Sequence, residues 1–302
     1  MNTDFDQVLI QFNADQQIGL YWVLAFIMFG VALQIDVKEF RKILTHPKGV
    51  GVGLFSQFVF LPLLTYLLVC WASPHPSLAL GMFLVASCPG GNISNFMSSH
   101  ARANVPLSVT LTAFSSAFAI VLTPLNFMFY ASLYTPTQEL LQSISVDGAS
   151  LFKLQLMMLA LPLILGMGFA SRFPSGAQAL ARWVHPLSLG IFIVLVSVAF
   201  WGNRGLFVEH FEIFFYWVLL HNAIALMSGY GLGFVLKLDV HTCRTIALET
   251  GIQNSGLGLA LVFAFFQGLG GMAMITAWWG IWHIISGLSV SSYFRLKNPK
   301  KS

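Results

Sequence analysis

Apolar residues in this chain gather into nine long runs separated by short polar gaps. A helix needs about 20 mostly apolar residues to cross a bilayer. The runs lie at about 18–35, 49–71, 77–98, 104–130, 149–170, 185–201, 211–236, 241–266 and 271–294. The longest gap, 131–148, is polar and contains Pro136. The pattern predicts an all-α integral membrane protein with nine transmembrane helices, forming a single transmembrane transporter domain over 1–302 with no soluble appendage.

Composition supports lipid as the solvent. The chain is 57% hydrophobic and only 9% charged, with a mean hydropathy of +0.77. A soluble domain carries about 25% charged residues. The acidic residues fall almost entirely in the polar gaps. A net charge of +4 could suggest a nucleic-acid partner, but no basic helix or aromatic-basic patch accompanies it. The basic residues instead report topology. Lys38, Arg41, Lys42, Lys48, Arg102, Arg172, Arg182, Lys237, Arg244, Arg295, Lys297, Lys300 and Lys301 fall on one side if nine spans alternate, leaving Lys153 and Arg204 for the other. This predicts a multi-pass protein of the cell (inner or plasma) membrane, with its N-terminus outside and its C-terminus in the cytoplasm. Residues 1–17 hold three Asp and no Lys or Arg, unlike the basic start of a cleavable signal, so the first run is expected to remain. Cys70, Cys88 and Cys243 lack metal-ligand spacing and are expected to be buried small residues.

Two spans cannot be continuous helices. The third carries Ser87-Cys88-Pro89-Gly90-Gly91-Asn92-Ile93-Ser94-Asn95, where proline removes a donor and paired glycines disfavour helix. The eighth carries Glu249-Thr250-Gly251-Ile252-Gln253-Asn254-Ser255-Gly256, a polar stretch at mid-membrane depth. Unwound backbone survives there only inside protein or along a wet cavity. An offset of five spans reverses direction through the bilayer. The chain therefore reads as an inverted-topology repeat, with repeat one at about 18–130, a linker span at about 149–170 and repeat two at about 185–294. Paired interrupted helices in two halves mark the site of a secondary transporter.

Glu249 is the one acidic residue well inside a span. Placing its charge there costs about 2.5 kcal/mol or more, so a proton, a basic partner or a bound cation must balance it. His221 and His283 are the candidate side-chain partners. Oxygen-bearing residues favour a cation: Ser94 and Asn95 follow the first break, Ser108 and Thr112 lie four apart on one helix face, Gln57 sits inside span two and Gln253 follows Glu249. Neutral oxygens around one carboxylate suit Na⁺ better than a transition metal, which would want Cys or His clusters. The half-helices restarting near Asn92 and Asn254 should offer free N–H groups to an anion. Two Na⁺ sharing Glu249 would leave a net charge of +1, which a monovalent carboxylate would cancel.

The segments 89–95 and 249–258 resemble the two signatures of the bile acid:sodium symporters, and the similarity extends over nearly the whole chain, including Gln57 with Pro62 and residues 104–124. The resemblance implies two crossing discontinuous helices in a core domain, beside a panel domain. It implies one sodium site from Ser94, Asn95, Ser108, Thr112 and Glu249, and another from Gln57, Glu249, Gln253 and the carbonyls of Thr250 and Ile252. Substrate would sit near Asn92, Asn254 and His283. Some bacterial members have ten spans, and the resemblance implies that the nine expected here correspond to the last nine of those. Asn92 stands where bacterial relatives often carry a small hydroxyl residue, which leaves the substrate open between bile-acid-like molecules and smaller carboxylates.

The expected function is sodium-coupled symport of an organic anion by alternating access, in contact with membrane lipid and without a nucleic-acid partner; the oligomeric state is left open. The rival reading is a proton-coupled or uncoupled transporter or exporter of a small anion or metalloid, with Glu249 and His283 handling the proton. An enzyme is excluded by the lack of a nucleophile–base pair or metal motif. Trp278, Trp279 and Trp282 are expected to pack or face lipid, and His221 to be a satisfied polar residue between helices.

Overall fold

The computed structural model describes residues 14–33, 47–143, 148–202 and 204–297, and these are helical almost throughout. Helix α1 (Ala14–Ala32) is followed by α2 (Pro47–Phe55) and α3 (Leu61–Ala72), which join through a π-helical turn at Ser56–Phe60. Then come α4 (Pro76–Ser87), α5 (Ile93–His100), α6 (Val105–Leu133), α7 (Thr135–Ser143), α8 (Gly148–Arg172) and α9 (Pro174–Gly202). The chain closes with α10 (Arg204–Val235), α11 (Val240–Gly251), α12 (Ser255–Phe265) and α13 (Gly270–Leu296). Among the described residues, four stretches are long and apolar enough to cross a membrane: Pro47–Ala72, Val105–Leu133, Phe211–Val235 and Gly270–Leu296. Large apolar side chains such as Leu67, Phe129, Ile164 and Met227 face outward, as they do when the surroundings are hydrocarbon.

Both interrupted spans are broken where the composition requires it. Helix α4 stops at Ser87, and Cys88 turns extended with φ −69° and ψ 157° ahead of Pro89. Helix α11, whose first N–H groups are capped by the Asp239 side chain, stops at Gly251. Ile252 is extended at φ −103° and ψ 95°. The two unwound segments run antiparallel and pair as a single bridge between Gly90 and Gln253. Gly91 N donates to Ile252 O at 2.7 Å, and Asn254 N donates to Pro89 O at 2.8 Å. Gly90 and Gly91 permit the approach, because a β-carbon at 91 would sit 3.0 Å from Gln253 O.

Every freed backbone carbonyl at the crossing from Ser87 to Pro89 and from Thr250 to Ile252 finds a donor, as backbone out of reach of water must. Thr123 Oγ1 of α6 donates to Ser87 O at 2.7 Å. Gln57 Nε2 donates to Cys88 O at 2.7 Å, Gln253 Nε2 to Thr250 O at 2.7 Å and Asn222 Nδ2 to Gly251 O at 2.8 Å. The π-helical turn has its own cause. Pro62 has no N–H for Phe58 O, the register slips so that Leu61 N bonds Ser56 O, and Asn126 Nδ2 of α6 takes Phe58 O at 2.8 Å.

Helices α4 and α12 are buried along nearly their whole length and pack with α13 at the centre. Helices α1, α6 and α10 close around them.

Four expectations need correction. Residues 135–143 form α7, so the longest gap is not simply a loop. Helix α9 begins at Pro174, which puts Arg182 inside a helix; hydropathy records lipid contact and misses a polar helical start. Arg244 is no loop charge: it is 5% exposed on α11, with its guanidinium 5.1 Å over the Phe294 ring. Cys70 is exposed rather than buried, while Cys88 and Cys243 are buried as expected. Lys38, Arg41, Lys42, Lys300 and Lys301 lie outside the described residues.

Candidate functional site

Glu249 enters the crossing from the last turn of α11 and is 2% exposed. Three hydroxyls surround its carboxylate. Ser94 Oγ, from the first turn of α5, donates to Oε2 at 2.6 Å. On α6, Ser108 Oγ donates to Oε2 at 3.3 Å and Thr112 Oγ1 to Oε1 at 2.8 Å. The spacing of four places the α6 hydroxyls on one helix face, one turn apart. Asn95 Oδ1 completes the group, 3.3 Å from Thr112 Oγ1. Among the described residues the carboxylate bonds to these hydroxyls and to neither His221 nor His283. All five residues expected at the first site therefore meet, and every donor atom facing the centre is oxygen. Hard cations take such a set.

The second group lies on the other side of the crossing. Gln57 Nε2, which also holds Cys88 O, donates to Gln253 Oε1 at 2.8 Å. Gln57 Oε1 is buried without a partner among the described residues. Burying an acceptor unsatisfied costs about 1–3 kcal/mol, and a hard cation is one partner that would satisfy Gln57 Oε1; the neighbouring break adds Gln253 Oε1 and the carbonyls of Thr250 and Ile252. Each of those carbonyls already accepts one bond and keeps a second lone pair. Sodium fits both groups by donor type.

The region near Asn92 and Asn254 differs from expectation in one respect. The N–H groups of Gly91 and Asn254 are not free, because each is taken by a carbonyl of the opposite break. The Asn254 side-chain oxygen caps α12 by accepting from Leu257 N at 3.0 Å, which leaves its NH₂ end as the donor for a ligand. Asn92, half-buried, is the N-cap of α5 without a side-chain cap bond. His283 is 3% exposed on α13, and its Nδ1 has no partner among the described residues. His221 is only half satisfied: Nε2 lies 2.7 Å from Thr65 Oγ1 and the ring is edge-on to Trp279 at 4.8 Å, while Nδ1 is buried without a partner among the described residues. Trp279 is fully buried. Trp278 packs on Phe211 and Phe215, and Trp282 on Phe215.

Sequence reasoning missed Ser56, Thr123, Asn126 and Asn222. Ser56 Oγ lies 2.8 Å from Thr250 Oγ1, tying the π-helical turn to the residue after Glu249. Each looks in the sequence like a hydroxyl or amide satisfied within its own helix. Asn126 alone had a signal, in the acceptor that Pro62 strands.

A membrane protein with two broken helices crossing at a buried oxygen cluster belongs to the class of secondary transporters. The family model described as the sodium bile acid symporter family matches residues 21–210. A sodium-dependent transporter of Bacillus subtilis is 34% identical over 282 residues, covering 92% of this chain and 83% of that protein. A chloroplastic probable sodium/metabolite cotransporter of Arabidopsis thaliana is 29% identical over 282 residues, covering 92% and 67%. The human ileal sodium/bile acid cotransporter is 28% identical over 244 residues, covering 80% and 67%. The chain belongs to the sodium bile acid symporter family, and is a sodium-coupled membrane transporter, not an enzyme.

Proposed function

We propose that this protein is a secondary active transporter that carries an organic anion together with two Na⁺ by alternating access. The observation that carries this reading is the Glu249 carboxylate, buried at the crossing and met by hydroxyls. A carboxylate in that place is balanced most simply by alkali cations held in the same oxygens. One Na⁺ is assigned to Ser94, Asn95, Ser108, Thr112 and Glu249. The other is assigned to Gln57, Glu249, Gln253 and the carbonyls of Thr250 and Ile252, which the unpartnered Gln57 Oε1 supports. Substrate sits by Asn92, Asn254 and His283.

With both ions bound the site carries one net positive charge, and a monovalent carboxylate neutralises it. One charge then enters per cycle, and a 100 mV membrane potential adds about 2.3 kcal/mol of drive. The proton-coupled alternative has less support, since Glu249 and His283 are not bonded to each other. The relatives' printed names, sodium/bile acid and sodium/metabolite cotransporter, agree with an organic substrate and leave its size open.

Nine spans in an inverted repeat complete the reading, with 18–130 and 185–294 as the halves and 149–170 as the linker. The antiparallel pairing of the two breaks supports the inversion. Helices around the crossing form the core, and α1, α8 and α9 the panel against which it moves. The described basic residues support a cytoplasmic C-terminus in the cell membrane. Lys48 Nζ reaches Leu236 O, His241 reaches Arg102 O and Arg295 reaches His100, so these charges share one end of the bundle. Exposed Trp71 and Trp201 lie in the last turns of α3 and α9, where interfacial aromatics are common.

The test is a thermal-shift screen of small organic acids on purified protein, each in sodium and in potassium. Ligands that bind the sodium-loaded site raise the melting temperature only in sodium. Equal stabilisation in potassium would refute coupling.

A further inference from the structure

Asn222, fully buried on α10, makes its side-chain hydrogen bonds, among the described residues, to Gly251 and Ser286 and not to the side chains assigned as ion ligands. Its Nδ2 donates to Gly251 O at 2.8 Å, while its Oδ1 accepts from Ser286 Oγ of α13. That carbonyl is the middle one of three consecutive carbonyls, flanked by the Thr250 and Ile252 oxygens of the second sodium site. The outer two take their donors from within the crossing, Gln253 Nε2 and Gly91 N, at 2.7 Å each. The middle one depends on α10.

The peptide linking Gly251 to Ile252 is consequently held at both ends. Ile252 N donates to Leu248 O at 2.9 Å, and the carbonyl end is held by Asn222. Such an outside clamp is needed at this position. A β-carbon on residue 251 would collide with Leu226, so only glycine fits, and glycine is the residue whose backbone rotates most freely. Ser286 sets the clamp's direction. Turning the Asn222 amide over would aim its oxygen at Gly251 O and its NH₂ away from it, losing the bond.

We propose that Asn222 is a positioning residue for the second sodium site: by fixing the Gly251–Ile252 peptide it aims the Thr250 and Ile252 carbonyl oxygens at the ion without contacting it. The inference rests on the sodium reading given above, and it makes the α10–α13 contact through Asn222 and Ser286 part of the ion site's geometry. Since α10 and α13 lie outside the crossing, ion affinity at the second site is tied to how these helices pack.

The experiment is a sodium titration of the melting temperature of the full-length purified protein, with potassium replacing sodium to hold ionic strength. Variants are Asn222→Leu, which keeps side-chain volume and loses the donor, and Ser286→Ala, which frees the amide to turn. Gln253→Ala removes a proposed ligand directly. The melting temperature in potassium alone reports general stability; the sodium concentration at half-maximal stabilisation reports the site. Asn222→Leu raises that midpoint about fivefold or more, the size expected for losing one buried hydrogen bond, and Ser286→Ala raises it about twofold. Should Asn222→Leu fail to fold, the Ser286→Ala shift decides. An unmoved midpoint in the Asn222 or Ser286 variants, with Gln253→Ala shifted, overturns the positioning role. An unmoved midpoint in all three overturns the second sodium site itself and the inference with it.

Discussion

A single hydrogen atom is all that separates the backbone of Gly90 from the carboxylate of Glu249. A β-carbon at position 90 would overlap Oε1 and stand 2.9 Å from Cδ. The first break therefore does more than let two segments cross, because its glycine is one wall of the seat that holds the buried charge. Gly90→Ala should push the carboxylate away from Ser94 and Thr112 and raise the sodium midpoint about tenfold or more. Sodium titration of the melting temperature checks this, and a wild-type midpoint would show that the carboxylate has room to spare.

In the proposed first sodium site Thr112 contributes only its hydroxyl. Thr112→Val keeps the shape of the side chain and removes the oxygen that bonds Oε1 at 2.8 Å. Its sodium midpoint should rise about tenfold, whereas Thr112→Ser should stay near wild type. Equal loss in both variants would point to packing of the methyl group instead of ligation.

The π-helical turn yields a prediction about stability. Asn126→Leu strands Phe58 O, which the amide holds at 2.8 Å, and should cost about 1 kcal/mol or more. Pro62→Ala restores an N–H that can claim the same carbonyl. In the Pro62→Ala background, Asn126→Leu should cost less, giving a coupled double-mutant cycle. Additive losses in melting temperature would separate the two residues.

The clustering of polar residues at the crossing was legible because those residues break a rule visible in one dimension. Proline, paired glycines and a carboxylate inside apolar runs announce unwound backbone, and Ser108 with Thr112 share a face by spacing alone. Asn222, Ser56 and Thr123 break no such rule. A lone hydroxyl in an apolar helix reads the same whether it bonds back along its own turn, as Thr276 Oγ1 does to Met272 O, or reaches a partner far along the chain, as Thr123 does to Ser87 O. Partner choice is a tertiary fact. Arg244 was misread for a related reason: its stacking partner, Phe294, lies fifty residues away at the far end of α13. The polar starts of α7 and α9 escaped because a hydropathy pattern marks contact with lipid, and helix continues beyond it.

The charge arithmetic makes a prediction of its own. Two Na⁺ with one monovalent anion leave one net charge moving inward per cycle. Uptake of the anion into vesicles should therefore be electrogenic, rising with an inside-negative potential at fixed sodium. Uptake indifferent to potential would require one ion per anion, and would remove either the Gln57–Gln253 site or the one built on Ser94 and Thr112.

The central claim, that sodium balances the buried charge of Glu249, is tested most directly by sodium binding to the purified protein and to Glu249→Gln, which keeps the side chain's shape without its charge. Sodium at about a hundred times its dissociation constant should stabilise the wild type by about 2.7 kcal/mol, with potassium ineffective, and the variant should not respond. A sodium-dependent rise in melting temperature of the same size in Glu249→Gln would contradict the account.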